Sequence, residues 1–322
     1  MDLGKRNRKK MNNTEERDEY IIGENKTEQR KEFTIPATDK LPLACALFPC
    51  ENPKGVIQMI HGAKEHKERY YGFCEFLQRN GYAVLISDIR GHGASLNEKY
   101  TLGYMDGLAL LIQDQRILTM YLQETYPGVP LHLFGHSFGS LIARKYMQKY
   151  DAQLASVTMS GTANYVKVVK PGMAYGKLMM KFDGERGHHP FMMSLGDKDD
   201  DAWLAYNPKV QEVYRKDPLC SGYKYTNRAV LTVWEADREL KNYKEYECRN
   251  PKLPILSVTG VDDEVAGFEK GLKDSVKNLR RVGYEKVNTI VYPNMKHEVL
   301  NEVGNEKVYE DVLRFLDGTK EG

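Results

Sequence analysis

Leu131-His132-Leu133-Phe134-Gly135-His136-Ser137-Phe138-Gly139-Ser140-Leu141-Ile142 decides how this chain is read. The run up to Phe134 has the short, apolar, turn-bounded form of a buried strand. From Ser137 the spacing changes: Leu141, Ile142, Tyr146 and Met147 repeat at helical intervals as far as Tyr150. Between the two stands Gly135-His136-Ser137-Phe138-Gly139, the pattern G-x-S-x-G. Taken alone the pattern is weak, and a capping serine in a glycine turn is the competing reading. Set between a strand and a helix, it is the sharp turn that lifts a nucleophilic serine above a sheet. The helix N-terminus beneath it favours negative charge developing there.

Outward from this turn, short apolar runs alternate with helical stretches. Strands are expected at Phe33–Ile35, Leu41–Phe48, Gly55–Ile60, Tyr82–Ser87, Leu154–Met159, Ile255–Thr259 and Val287–Tyr292. Helices are expected at Tyr71–Asn80, Leu102–Tyr126 and Val308–Leu316. Such alternation predicts a mostly parallel central sheet flanked by helices. Residues 161–240 break the rhythm; rich in Met, Tyr and Gly, they read as a helical cap over the C-terminal sheet edge, where open α/β sheets bind ligands. The predicted organisation is a flexible charged leader at 1–31, a core in two parts at 32–160 and 241–322, and the cap between them.

A serine nucleophile needs a base, and the base an orienting carboxylate. Three histidines follow Ser137: His188 and His189 inside the insertion, and His297 just beyond the last apolar strand. Position selects His297. Asp262 and Asp263 both lie past the strand Ile255–Thr259, and spacing does not choose between them, since one can cap the next helix. His61-Gly62-Ala63 ends another strand and can supply backbone N–H groups that join the Phe138 amide in an oxyanion hole. His92, in Arg90-Gly91-His92-Gly93, reads as structural, and Glu65 with Arg69 as a weak helix-start ion pair.

Composition narrows the alternatives. With 47 Lys and Arg against 45 Asp and Glu, the net charge is +2, which gives no reason to expect a nucleic-acid partner. Five cysteines without a Cys-x-x-Cys pair argue against a zinc knuckle or a disulfide framework, and suit a reducing, cytoplasmic setting. Asp197 to Asp201 lacks the glycine and closing glutamate of a calcium loop. Neither metal nor organic cofactor is expected. Lys5, Arg6, Arg8, Lys9 and Lys10 precede no apolar stretch, so they form no secretory signal, though they allow transient contact with a membrane surface. Met179, Met180, Met192 and Met193 are candidates for an adaptable apolar wall around an acyl chain.

Five segments together resemble the monoacylglycerol lipase and lysophospholipase branch of the α/β-hydrolases, within the S33 serine aminopeptidase family. They are His61 to Tyr70, Asp88 to Ser95, Tyr126 to Pro130 running into Gly135 to Gly139, Gly260 to Asp263, and His297 to Glu302. The resemblance implies the α/β-hydrolase fold, Ser137 as nucleophile, His297 as base, Asp263 rather than Asp262 as the acid, and the amides of Ala63 and Phe138 as oxyanion hole. Its activity would be cleavage of a small-molecule ester carrying one acyl chain. Lys64 departs from the pattern, standing where these lipases often have Gly, and the insertion matches no characterised member. Two alternatives follow: a serine aminopeptidase of the prolyl iminopeptidase type, with Glu185, Asp199 to Asp201 or Glu235 holding the substrate amine, or a binding protein that kept the fold without the chemistry.

Overall fold

The computed structural model describes residues 22–27, 30–194 and 201–319. Among these residues nine strands form one sheet: β1 (Ile22–Thr27), β2 (Arg30–Pro36), β3 (Pro42–Phe48), β4 (Gly55–Ile60), β5 (Tyr82–Ser87), β6 (Leu131–His136), β7 (Ser156–Ser160), β8 (Ile255–Gly260) and β9 (Val287–Tyr292). Their spatial order is β1-β2-β3-β5-β4-β6-β7-β8-β9. The first three pair antiparallel, β3 pairs antiparallel with β5, and the six from β5 to β9 run parallel.

Helices α1 (Tyr71–Arg79), α2 (Leu108–Thr125), α3 (Phe138–Tyr150), α4 (Val169–Asp183), α5 (Pro190–Ser194), α6 (Pro208–Lys216), α7 (Asn227–Glu239), α8 (Phe268–Arg281) and α9 (Asn305–Gly318) complete the fold. The strands are apolar on both faces because helices cover both. In β4, Val56 and Ile60 enter the core shared with α2, α3 and α7, while Ile57 and Met59 enter the one shared with α1 and α9. In β5 the same alternation separates Ala83 and Leu85 from Val84 and Ile86. The architecture is that of the expected α/β-hydrolase class.

Two expectations need correcting. Part of the stretch expected as a flexible leader, residues 1–31, is strand: Ile22–Thr27 pairs with β2. Edge pairing uses backbone N–H and C=O groups, so it needs no apolar alternation and leaves little trace in sequence. Helix α2 begins at Leu108, not Leu102, because Gly103 and Gly107 adopt φ of +82° and +96°, and the Gly103 N–H is committed to the Gly91 carbonyl. The basic run at Lys5 to Lys10 and the acidic residues Asp197, Asp199 and Asp200 lie outside the described residues.

Among the described residues, α-helices α4 to α7 lie between β7 and β8. They are not a detached flap. Helix α7 packs on α2 and α3, Gly107 N–H donates to Thr232 Oγ1 at 3.0 Å, and Lys145 pairs with Glu239 at 2.9 Å. Among the described residues, no helix is long and apolar enough to cross a membrane.

Candidate active site

Ser137 occupies the junction of β6 and α3 with φ +50° and ψ −116°, a conformation a serine holds only when its surroundings impose it. Its N–H donates to the Ser160 carbonyl at 2.9 Å, and its own carbonyl accepts from Ser140 N–H and Oγ. The flanking glycines answer to close approach. A Cβ on Gly135 would run into the Gly139 carbonyl, and one on Gly139 into the carbonyls of Ile60 and His61. Ser137 is half-buried while the six residues before it and the three after it are buried. Only the serine meets the open side.

Beyond β9, the turn brings His297 back to the end of β8. Its Nδ1–H donates to Asp263, with Oδ1 at 3.0 Å and Oδ2 at 3.1 Å, and the Asp263 carboxylate is fully buried. Asp263 also accepts from the Thr259 hydroxyl at 2.7 Å and from the amides of Val265 and Ala266. Burial alone would raise its carboxyl, but His297 and these donors hold it down at about 2. Burial likewise pushes the imidazole down, and the Asp263 charge overrides it, so His297 titrates above its ordinary value. Nε2 of His297 is buried without a hydrogen-bond partner among the described residues. Asp262 faces elsewhere and accepts from the Tyr206 hydroxyl at 2.8 Å. Thus the structure brings Asp263, not Asp262, to His297.

A Cβ built on Gly161 would lie 2.9 Å from His297 Nδ1, and one on Gly62 3.1 Å from the Ser137 Cβ. The ends of β4, β6, β7, β8 and β9 therefore converge on one place, the C-terminal edge where such sheets bind ligands. Ala63 and Phe138 stand here too, Phe138 at the first turn of α3 and Ala63 directly after Gly62.

The loop after β4 is held from several sides. His61 Nε2 accepts from Ile89 N–H at 2.8 Å, which leaves Nδ1–H to donate to the Gly62 carbonyl at 2.7 Å. Lys64, at φ +54°, donates its N–H to the Tyr225 hydroxyl at 2.9 Å. Tyr225 in turn donates to His92 Nε2 at 2.6 Å, while His92 Nδ1–H meets the Arg90 carbonyl at 3.2 Å. Burial drives His92 down to about 3, so it is neutral and accepts. His92 is thus a bracket between the loop and the insertion.

Glu65 and Arg69 are more than a surface ion pair. Glu65 is buried and the Arg69 side chain is 9% exposed; Glu65 accepts from Gly62 N–H and from the Tyr70 hydroxyl, and Arg69 pairs with Glu65 at 2.9 Å. The same guanidinium forks onto Glu298, next to His297, with two bonds of 2.7 Å. Burial would raise the Glu298 carboxyl, but Arg69 holds it below its ordinary value. The fork ties the Gly62 loop to the His297 loop. Sequence spacing misses it because Arg69 and Glu298 are 229 positions apart.

From the insertion, Trp203 lies with its ring centre 5.2 Å from that of His297, and Leu204 accepts from the Glu298 amide. Glu302 accepts from the amides of Tyr206, Asn207 and Lys296. Met179 and Met180 are half-buried on α4, whereas Met192 is fully buried between α4 and α7. Met193 lies on the backbone of α5, and its side chain is outside what the structure describes. Among the acidic candidates for an amine anchor, Glu235 is paired with Arg228 at 3.0 Å, Asp201 with Arg215 at 2.9 Å, and Glu185 accepts from Tyr104 at 3.2 Å.

Known proteins resemble this chain over most of its length. Residues 51–304 match the family described as serine aminopeptidase, S33. A monoacylglycerol lipase of Mycolicibacterium smegmatis is 28% identical over 273 residues, covering 83% of this chain and 90% of that one. The human monoglyceride lipase is 34% identical over 235 residues, covering 67% and 68%. The crystal structure of a thermostable carboxyl esterase from Bacillus coagulans superposes with a TM-score of 0.81 at 22% identity, covering 91% of this chain and 99% of that one.

Proposed function

The chain belongs to the serine aminopeptidase S33 family of α/β-hydrolases, and on that premise we propose that it is a serine hydrolase of carboxylic esters with a single acyl chain, of the monoacylglycerol or lysophospholipid kind. The observation that carries this reading is His297, bound through Nδ1 to buried Asp263 with Nε2 left over, beside the strained Ser137 turn. Relatives named as monoglyceride lipases support an ester over a peptide. So do the partners that already occupy Glu235, Asp201 and Glu185.

In this mechanism His297 Nε2 takes the Ser137 proton as Oγ attacks the ester carbonyl. The oxyanion is met by the amides of Ala63 and Phe138 at the N-terminus of α3. His297 returns the proton to the leaving alcohol, and an acyl-enzyme remains on Ser137. Water, activated by the same imidazole, then releases the fatty acid. Asp263 keeps the tautomer that leaves Nε2 as the base. Trp203 shields the imidazole, and Met179, Met180 and Met192 contribute to an acyl wall in α4 and α5. The five free thiols support a reducing, cytoplasmic setting.

A panel of nitrophenyl esters from acetyl to palmitoyl, run beside 1-monoacylglycerol, a lysophospholipid and proline anilide, tests the proposal. Each buried methylene contributes up to about 0.8 kcal/mol, so kcat/KM is expected to rise roughly threefold to fourfold per CH₂ until the pocket is full. Ser137→Ala is expected to lose turnover by several orders of magnitude while staying folded. Cleavage of proline anilide alone would reassign the activity, and Ser137→Ala within tenfold of wild type would remove the mechanism.

A further inference from the structure

His66, Asp217 and Cys220 bring an imidazole nitrogen, a carboxylate oxygen and a thiol sulfur within 4.8 Å of one another. We propose that these three side chains form a site for a zinc-class divalent cation, which staples the insertion to the loop that follows β4. The sequence gives no reason to expect a metal because it holds no Cys-x-x-Cys pair. Here the donors come from two segments 151 positions apart, with three different chemistries.

The local geometry prepares the site. Asp217 and Cys220 sit three residues apart on the turn after α6, and the amides of Cys220 and Ser221 both donate to the Asp217 carbonyl at 3.0 Å. Leu219 N–H holds Asp217 Oδ1 at 2.8 Å, which fixes the carboxylate and leaves Oδ2 for a ligand. His66 precedes the short helical turn Lys67–Tyr70 in extended backbone and directs Nε2 to that Oδ2 at 2.8 Å. The Cys220 thiol stands within 4.8 Å of the same two donors. Protons thus stand where a cation would bind.

Tetrahedral zinc with bonds of about 2.0–2.3 Å separates its ligand atoms by about 3.3–3.6 Å. Moving Asp217 Oδ2 away from His66 by about half an ångström, and drawing in the donors that stand up to 4.8 Å apart, therefore forms the site. On binding, the thiol proton leaves to solvent, the imidazole proton that Nε2 donates to Asp217 exchanges through solvent to Nδ1 and frees Nε2 for the cation, and the fourth position is left for water. One thiolate and one carboxylate neutralise the cation. The nearby Arg69 does not oppose it strongly, because Glu65 and Glu298 already balance that charge. The mixed N, O, S donor set suits zinc or cobalt and disfavours magnesium or calcium, which take oxygen. Cys220 and His66 are buried, while the Asp217 side chain is 24% exposed and gives the ion its way in.

Cobalt(II) titration of the intact, chelator-treated protein is the test, since thiolate-bound cobalt has a charge-transfer band in the near ultraviolet. The expected result is about one equivalent bound with that band, zinc displacing the cobalt, and magnesium and calcium failing to displace it. Cys220→Ser should abolish the band, and His66→Gln should weaken binding by at least about 10–100-fold, the loss that follows removal of a group that only hydrogen-bonds a metal ligand. Zinc should raise the thermal midpoint of the parent but not of the variants. If Cys220→Ser does not fold, Asp217→Asn, on the half-exposed ligand, carries the same expectation of weakened binding. No band in the parent, or a band unchanged by loss of any of the three, overturns the proposal. Neither result depends on what reaction Ser137 performs.

Discussion

Replacing Tyr225 by Phe removes one oxygen and keeps a ring that packs edge-on against His92 at 5.5 Å. That oxygen accepts from Lys64 N–H at 2.9 Å and donates to His92 Nε2 at 2.6 Å. His92 is fully buried, so losing its donor leaves an unsatisfied nitrogen, at a cost of about 1–3 kcal/mol. The Lys64 amide is half-buried and adds about 0.5–1.5 kcal/mol. Together the substitution should cost roughly 1.5–4.5 kcal/mol of stability, read as a lower urea midpoint with an unchanged slope. The loop itself should loosen, since Lys64 holds a left-handed φ next to Ala63. Complete loss of an oxyanion donor costs about 10²–10³ in kcat, and a donor that is displaced but still present should cost about tenfold. A cycle with His92→Phe isolates the Tyr225–His92 bond, which should couple by about 0.5–3 kcal/mol. Stability within about 0.5 kcal/mol of wild type, with kcat unchanged, would refute the bracket.

Three further outcomes follow from the same geometry. Asp263→Asn should lower kcat by about 10³–10⁴, whereas Asp262→Asn, bonded only to Tyr206 on the surface side, should stay within a few-fold; single-turnover assays of the two decide the assignment. Because Asp263 raises the His297 pKa, His297 keeps its proton to a higher pH, and the acid limb of kcat/KM should fall above 6.5, the ordinary histidine value; Asp263→Asn should shift the limb downward. Arg69→Met leaves the Glu65 and Glu298 carboxylates buried without their cation and should cost about 3–5 kcal/mol in denaturant titration.

What could be read from sequence was whatever repeats locally. Buried parallel strands such as Tyr82–Ser87 announce themselves as short apolar runs, and Gly135 and Gly139 mark the crossing of backbones at the Ser137 turn. Adjacent residues that differ only in direction cannot be told apart this way. Asp262 and Asp263 share a spacing, and what separates them is that one is enclosed by Thr259, Val265 and Ala266 while the other meets Tyr206. Edge strand β1 escaped because backbone pairing needs no apolar pattern. The brackets of the site escaped for a different reason. The bonds from Lys64 to Tyr225 and from Arg69 to Glu298 join segments with no common period, and each partner looks like an ordinary surface residue until the chain has folded.

The chain has two tryptophans, and they report on different places. Trp234 lies over Gly172 and Gly176 inside the insertion, while Trp203 leans on the His297 imidazole. An imidazolium quenches indole emission more than a neutral imidazole does. Trp234→Phe therefore leaves a single emitter whose brightness follows the charge of the imidazole and the seating of the segment above it. The protein carries its own optical label, so protonation at His297 and displacement of the Trp203 segment can be followed in stopped flow without a dye or a chromogenic substrate.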